Sequence, residues 1–382
     1  MDAPLLTIEE LSELIANHGF SGFSVTKALR KPDSARRLED WKRDGFGADM
    51  NYLSNPPNRD EPDLIMDGAR SIVSVAMNYS PGIRAEQSQS RRSPFIARYA
   101  RGNDYHRVLK KRLRALAESL SQACRADIQW RACVDTAPLL ERDYAAAGGL
   151  GFVAKSSMLI TPGLGSYTLL GELLVDIELP VTAPINERCG ACQQCIVDCP
   201  TGAFVGPRTL DSRKCISYWT IETRASIPIE IREVMENMVF GCDRCQEVCP
   251  FNASPKLKSV DPELAPLEKL EKLDLVALLQ LTTSDHKRLV RGTALERAAR
   301  DQLMRNAAVA MGNSGSAEFV EPLSQALSQN RYPVVREHCA WALGKLGGSE
   351  SLLVLTERAQ SGEESDPTVR LAIEQALARL ET

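Results

Sequence analysis

Cys189-Gly-Ala-Cys192-Gln-Gln-Cys195-Ile-Val-Asp-Cys199-Pro200, followed further along by Cys242-Asp-Arg-Cys245-Gln-Glu-Val-Cys249-Pro250, is the stretch on which the reading of this chain turns. The first half has the spacing C-x₂-C-x₂-C-x₃-C-P of bacterial two-cluster ferredoxins. There, three close thiolates wrap one [4Fe–4S] cluster and the fourth, before proline, reaches the other. On that rule Cys189, Cys192 and Cys195 share a cluster with Cys249. The second half lacks the leading cysteine of the template, and Cys215 is the remaining candidate nearby. Cys199, Cys215, Cys242 and Cys245 then make the second set, and two [4Fe–4S] clusters are expected. Paired C-x₂-C units also build structural zinc sites, but zinc leaves both C-x₃-C-P endings and the third cysteine of the first run unexplained. Disulfides are disfavoured because such spacings cannot all bridge without strain and no secretory signal is read at the start of the chain. Cys124, Cys133 and Cys339 lie in apolar-periodic segments and read as small buried hydrophobes.

The 382 residues are 43% hydrophobic and 25% charged, the composition of an ordinary globular protein long enough for two or three domains. Thr7 and Glu10 read as a capping box that opens a helix. No apolar run approaches the roughly 20 residues of a membrane span. No membrane is therefore expected as a partner, and a cytoplasmic location suits cluster-bound thiolates. With a formal net charge of −4, nucleic-acid binding has to come from a local patch rather than from a basic chain. Arg98, Arg101, Arg107, Lys110, Lys111, Arg112 and Arg114 form one such run, and Lys287, Arg288, Arg291, Arg297, Arg300 and Arg305 another. Either run can equally be a solvated helix face.

Along the chain, residues 1–180 alternate helical and extended patterns, which predicts an N-terminal α/β domain. Ser71 to Met77 and Ile128 to Val134 read as strands, and Leu109, Leu113, Leu116 and Leu120 recur at helical spacing. Residues 181–255 are the ferredoxin-like two-cluster domain. Residues 256–382 are helical, and small-apolar helices ending at Gly312, Gly344 and Ala378 recur at 32- to 34-residue spacing, the pattern of HEAT-like repeats. Such repeats either present a surface to an extended partner or simply cap the fold. A glycine-rich passage, Gly148 to Gly165, does not fit a phosphate-binding loop but lets backbone approach something closely. Asp135 follows the run that ends at Val134, where a strand's carboxyl end would face a ligand crevice; a turn or helix cap is the competing reading.

Clusters of this kind pass single electrons, so the chain either relays them to a partner or delivers them to an acceptor of its own. A plain carrier needs no large domain ahead of its cysteines, and an internal acceptor is the better reading. Asp135-Thr-Ala-Pro, Gly151-Phe-Val-Ala-Lys155-Ser-Ser-Met-Leu-Ile-Thr161-Pro, Leu170-Gly-Glu-Leu-Leu and Arg98-Tyr-Ala-Arg-Gly102-Asn-Asp-Tyr-His106 stand with the spaced cysteines and with Arg305-Asn before Ala-Met-Gly-Asn313. Together, over nearly the whole chain, they resemble the epoxyqueuosine reductase family, a relative of corrinoid reductive dehalogenases.

The resemblance implies cobalamin in the N-terminal domain and reduction of the epoxide of epoxyqueuosine in a tRNA anticodon loop to give queuosine. It implies that Asp135 is the proton donor. A carboxyl group with an ordinary pKa near about 4 is ionised at neutral pH, so that role predicts burial that raises it. By position, Arg59, Lys155, Ser157, Thr161 and Ser217 are the expected cobalamin contacts. No cysteine lies between Arg98 and Gly102 to serve the cobalt. Arg224, Arg297, Arg300 and Arg305 are the expected contacts to the anticodon stem-loop, where basic side chains track phosphates. An external single-electron donor and a monomer complete the expectation. The competing readings are a corrinoid reductase of a small organic molecule and a non-catalytic iron–sulfur electron-transfer subunit.

Overall fold

The computed structural model describes residues 6–54, 59–79, 90–253 and 260–381. The chain forms two compact units, and neither is continuous in sequence. The first comprises Met1–Ala85, Gly102–Arg213 and Asp243–Ala265, and the second Glu86–Arg101, Lys214–Cys242 and Pro266–Thr382. The expected boundary after residue 180 therefore falls inside the first unit, and the one after residue 255 lies outside the described residues. The cysteine-rich stretch is divided, with Cys215 and Cys242 in the second unit and the other six ligand candidates in the first.

The first unit is built on a four-stranded sheet. Its strands are β1 (Gly22–Lys27), β2 (Ser71–Asn78), β3 (Trp130–Cys133) and β4 (Thr168–Val175), in spatial order β1-β2-β4-β3. Every pairing in it is antiparallel. The expected α/β layout thus resolves as α+β. A strand covered on both faces reads as a continuous apolar run whether its neighbours are parallel or antiparallel, which is why the run at Ser71 did not distinguish them. All eight residues of β2 are buried.

Helices supply that double cover. Helix α1 (Ile8–Asn17) begins at the expected capping box, in which the Thr7 hydroxyl accepts the Glu10 N–H and the Glu10 carboxylate accepts the Thr7 N–H. Helix α2 (Tyr105–Cys124) is capped by Asp104, whose carboxylate accepts the His106 N–H at 3.1 Å, and it buries the expected leucine stripe. Its Leu109 and Leu113 crowd against Gly171 of β4. Side chains alternate across a strand, so the residue after Gly171, Glu172, points to the opposite face. That face is covered by the short helix α3 (Glu141–Ala147), whose Tyr144 and Ala145 pack on Ile72, Ala76, Cys133 and Leu174.

The second unit contains paired helices. Helices α4 (Arg300–Asn313), α6 (Pro333–Leu346) and α8 (Pro367–Glu381) form one layer, and α5 (Val320–Gln329) and α7 (Gly348–Ser361) pack alongside. The recurring small residues are explained by how closely the layer's backbones approach. A Cβ at Gly312 would lie 2.9 Å from the Cα of Ala342, and one at Gly344 would lie 2.8 Å from the Cα of Ala376. Pro333 opens α6 at its first turn, where its missing N–H costs no bond. Among the described residues no helix is long and apolar enough to cross a membrane.

Helix α4 corrects one expectation. Arg305 is fully buried, and its guanidinium donates to the carbonyls of Trp219, Thr223 and Ala225 at 2.6, 3.2 and 2.5 Å. It has no exposed surface for RNA and instead pins the 219–225 segment. Gln302 and Asn306 reinforce it through the carbonyls of Thr220, Thr223 and Val239. Burial pushes the Arg305 guanidinium down to about 9, so this charge is held by main-chain dipoles rather than by an acid. Replacing Arg305 with methionine strands three carbonyls, at a cost on the order of 3 kcal/mol. We expect a clear fall in the thermal midpoint of the holoprotein; an unchanged midpoint would contradict this role.

Candidate active site

The loop after β3 makes the site. Val134 is buried, and Asp135 follows it in the left-handed region with φ +50°. A side chain with a Cβ adopts that conformation only when its surroundings hold it there. Asp135 is not the cap of α3, which begins after Leu140. Its backbone N–H donates to Oε1 of Glu141 at 2.5 Å, and its Oδ2 lies 3.1 Å from Nε2 of His106. The other ring nitrogen of His106, Nδ1, lies 2.7 Å from Oδ1 of Asp104. The imidazole is therefore held between two carboxylates and stacked on Tyr105 with ring centroids 4.0 Å apart.

Burial disfavours charge on His106, but the hydrogen bonds to Asp104 and Asp135 outweigh it and raise its pKa to about 9. At neutral pH the ring is an imidazolium with both N–H groups donating. The hydrogen bond from His106 in turn holds the Asp104 carboxyl below the usual range. This differs from the environment expected for Asp135. Its side chain is 42% exposed rather than buried, and it sits against a cation. His106, which closes the Arg98–His106 motif, is the cation of this site.

Of the expected cobalamin contacts in the first unit, Arg59 and Ser157 meet the start of α3. The Arg59 carbonyl accepts the Leu140 N–H at 3.2 Å, while its guanidinium donates to the Tyr52 carbonyl at 3.0 Å. The carbonyl of Ser157, itself at φ +64°, accepts from Arg142. Thr161 is buried and closes a bridge to Gly165. Nε of Arg59 and Oγ1 of Thr161 are buried without a partner among the described residues, as groups that await a polar ligand would be. Lys155 is different, because its ammonium donates to the carbonyls of Gly190 and Cys192 at 2.6 and 2.9 Å. It fastens the loop that bears the first cysteines. Nearby Gly149 allows close approach of protein backbone, since a Cβ there would lie 2.0 Å from the Ala183 carbonyl oxygen. Ser217 belongs to the second unit, within the helix Ile216–Ile221.

Cys189, Cys192, Cys195 and Cys249 all belong to the first unit. Cys189 and Cys249 pack against the cluster formed by Phe152, Ala154 and Ile160. Burial raises the Cys249 thiol, and neighbouring Cys189 and Cys192 raise it further; burial and then Cys249 and Cys192 do the same to Cys195. Thiols that oppose one another's ionisation are close together, and iron in place of their protons removes that conflict. These four candidates thus neighbour one another within the first unit. Of the second set, Cys199 and Cys245 lie in the first unit and Cys215 and Cys242 in the second. Cys124, Cys133 and Cys339 are buried, as their apolar settings suggested.

Among the basic residues, Arg224 is exposed and Arg297 is exposed beside Glu222 at 3.3 Å. Arg300 donates to the Tyr332 hydroxyl at 2.8 Å and to Thr283 at 3.1 Å. Its guanidinium lies 5.2 Å from the centre of the Tyr332 ring, and that of Arg331 lies 4.6 Å away. Two guanidinium groups gathered at one tyrosine make a local cationic surface with which a phosphate can pair. Tyr332 and Arg331 were not singled out from the sequence because they sit outside the basic run.

Comparison with known proteins places the chain in a family. The family model for epoxyqueuosine reductase QueG (DUF1730) matches residues 59–136, the 4Fe-4S double cluster binding domain matches residues 188–252, and HEAT repeats match residues 292–378. The epoxyqueuosine reductase of Escherichia coli (strain K12) is 37% identical over 318 residues, covering 82% of this chain and 83% of that protein. A crystal structure of epoxyqueuosine reductase with an epoxyqueuosine-modified tRNA-Tyr stem loop superposes with a TM-score of 0.88 at 31% identity, covering 98% of each chain. A Bacillus subtilis epoxyqueuosine reductase, solved with its catalytic aspartate loop swung out of the active site, has a TM-score of 0.87 at 30% identity, covering 97% of this chain and 98% of that one. This chain belongs to the epoxyqueuosine reductase family.

Proposed function

We propose that Asp135 and His106 are the proton-delivering pair with which this chain reduces epoxyqueuosine in tRNA to queuosine. The observation that carries the reading is the placement of His106 between Asp104 and Asp135. Removing an epoxide oxygen to leave a carbon–carbon double bond takes two electrons and two protons and releases one water. The electrons come through two [4Fe–4S] clusters, the first held by Cys189, Cys192, Cys195 and Cys249 and the second by Cys199, Cys215, Cys242 and Cys245. When bound, cobalamin supplies the two-electron reductant for the epoxide. Arg59, Ser157, Thr161 and Ser217 would hold it; two of these, Arg59 and Thr161, carry buried polar atoms in want of a partner. Lys155 we assign instead to fixing the first-cluster loop.

The chain's own residues handle the protons. The opened oxygen of the substrate must be protonated once to become a hydroxyl and again to leave as water. Asp135, exposed at the loop tip, passes to the substrate oxygen the proton it takes from the imidazolium of His106 across the 3.1 Å hydrogen bond, and solvent reprotonates the pair for the second transfer. Asp104 holds the ring so that one N–H points at Asp135, the orienting part that a carboxylate plays behind a catalytic histidine. On the RNA side, Arg224, Arg297 and Arg300, with Tyr332, engage the stem-loop. An external one-electron donor, a cytoplasmic setting and a monomeric enzyme complete the proposal.

Asp135→Asn is expected to abolish turnover while iron and cobalamin contents stay at those of the unsubstituted protein; retained turnover removes Asp135 from the chemistry. The pH dependence follows from His106. Its folded pKa lies above the ordinary 6.5, so the charge it contributes is fully present below about 6.5 and is lost as pH rises through about 9. Activity should fall along that alkaline limb, and His106→Gln should flatten it. An unaltered limb in His106→Gln would place the titrating group elsewhere. For RNA, reversing charge at Arg297 and Arg300 together should lower the slope of log affinity against log salt by roughly 1.5 for a modified stem-loop. Turnover of the free nucleoside should be unaffected, and equal loss on both substrates would refute the RNA assignment.

A further inference from the structure

Charged side chains are bonded to both ends of the loop that carries Cys189 and Cys192. Lys155 stands beside it at the tip of the hairpin formed by Phe152–Val153 and Leu159–Ile160. Its ammonium donates to the Gly190 carbonyl at 2.6 Å and to the Cys192 carbonyl at 2.9 Å. The Lys155 carbonyl accepts the Arg208 N–H at 2.8 Å, which holds the hairpin tip in place. At the start of the loop, Oε1 of Glu187 accepts the backbone N–H of Cys189 at 2.5 Å, and its Oε2 lies 3.7 Å from the Arg208 guanidinium. An anion is thus bonded to the main chain of one ligand candidate, and a cation to the main chain of the next.

Fastening a loop does not require charge, since neutral side-chain amides donate to carbonyls and accept from N–H groups. What ionised groups add is a field at the thiolates. Reduction of a [4Fe–4S] cluster takes up one electron, breaks no bond, and adds one negative charge to a group that its thiolate ligands already make anionic. A cation beside those ligands favours the reduced form and an anion opposes it. Net charge and hydrogen bonding are the means by which a protein sets such potentials. Lys155 is half-buried, whereas Glu187 is exposed and paired with Arg208, so solvent and Arg208 weaken the influence of the acid more than that of the lysine.

We propose that Lys155 and Glu187 set the reduction potential of the first cluster with opposite sign. Lys155 raises it through the ammonium at the Gly190 and Cys192 carbonyls, and Glu187 restrains it through the carboxylate at the Cys189 amide. Both are positioning residues that act through the cluster, and the electron they help to place comes from the external donor. The inference rests on the proposed ligand set of Cys189, Cys192, Cys195 and Cys249.

The test is a potentiometric titration of the full-length, cluster-loaded protein, followed by electron paramagnetic resonance of the reduced clusters. Lys155→Gln keeps a donor and removes the charge. It should lower the reduction equilibrium of one of the two one-electron steps by about ten-fold, or about 59 mV, and leave the other step in place. Glu187→Gln keeps an acceptor for the Cys189 N–H and should move the same step upward. Lys155→Arg, which keeps the charge, should restore the midpoint of the unsubstituted protein. Because Glu187 is exposed, its variant decides the matter even if Lys155→Gln does not load iron. Midpoints that stay in place, shifts of the same sign in both glutamine variants, or Lys155→Arg displaced as far as Lys155→Gln would overturn the proposal. The ligand set is decided separately, by the iron lost in Cys192→Ser.

Discussion

A charge or polar group taken out of water has to be given a partner, because its unpaired burial costs more than one hydrogen bond returns. Each unit of this protein is organised by that constraint. In the first, the charged ring of His106 is enclosed by Asp104 and Asp135. In the second, the buried guanidinium of Arg305 has its needs met by three carbonyls of the 219–225 segment. These groups do little for hydrophobic stability. What they supply is direction, since each leaves one geometry in which all partners are satisfied.

Direction is what the reaction requires. In the proposed reaction the substrate's oxygen needs two protons at one place. A protonated histidine hydrogen-bonded to an exposed aspartate can pass one through it, and solvent at the exposed carboxyl renews the pair for the second. The strained backbone at Asp135 belongs to the same economy of placement. The left-handed Asp135 donates its backbone N–H to Glu141 while its carboxylate meets His106. Electron delivery is organised differently, by covalent ligation. There the protein's part is to gather thiols that oppose one another's ionisation, and to fasten their loop through Lys155.

The parts of this arrangement that were legible in the sequence are those encoded locally. The cysteine spacing picked out four residues that all lie in the first unit, and Thr7 with Glu10 predicted a capping box that forms. Small residues recurring through 305–378 predicted the stacked helices, because close backbone approach needs them. What escaped was encoded in tertiary pairings. His106 lies at a helix start and Asp135 at a strand end, and nothing in either segment announces the other. Arg305 was misread because α4 is buried nearly all round, and a helix without a polar face gives no sign of which way its arginine points. The sheet's direction was hidden for a similar reason, since β2 is covered on both faces.

The central claim is the charge state of His106, and it can be observed without turnover. The chain has four histidines, so nitrogen-15 labelling of histidine gives a spectrum simple enough to assign with a His106→Gln variant. The account predicts that both ring nitrogens of His106 are protonated at pH 7.5 and that the ring titrates near 9. A ring that is neutral at pH 7.5 and titrates at or below the ordinary value of about 6.5 would contradict it.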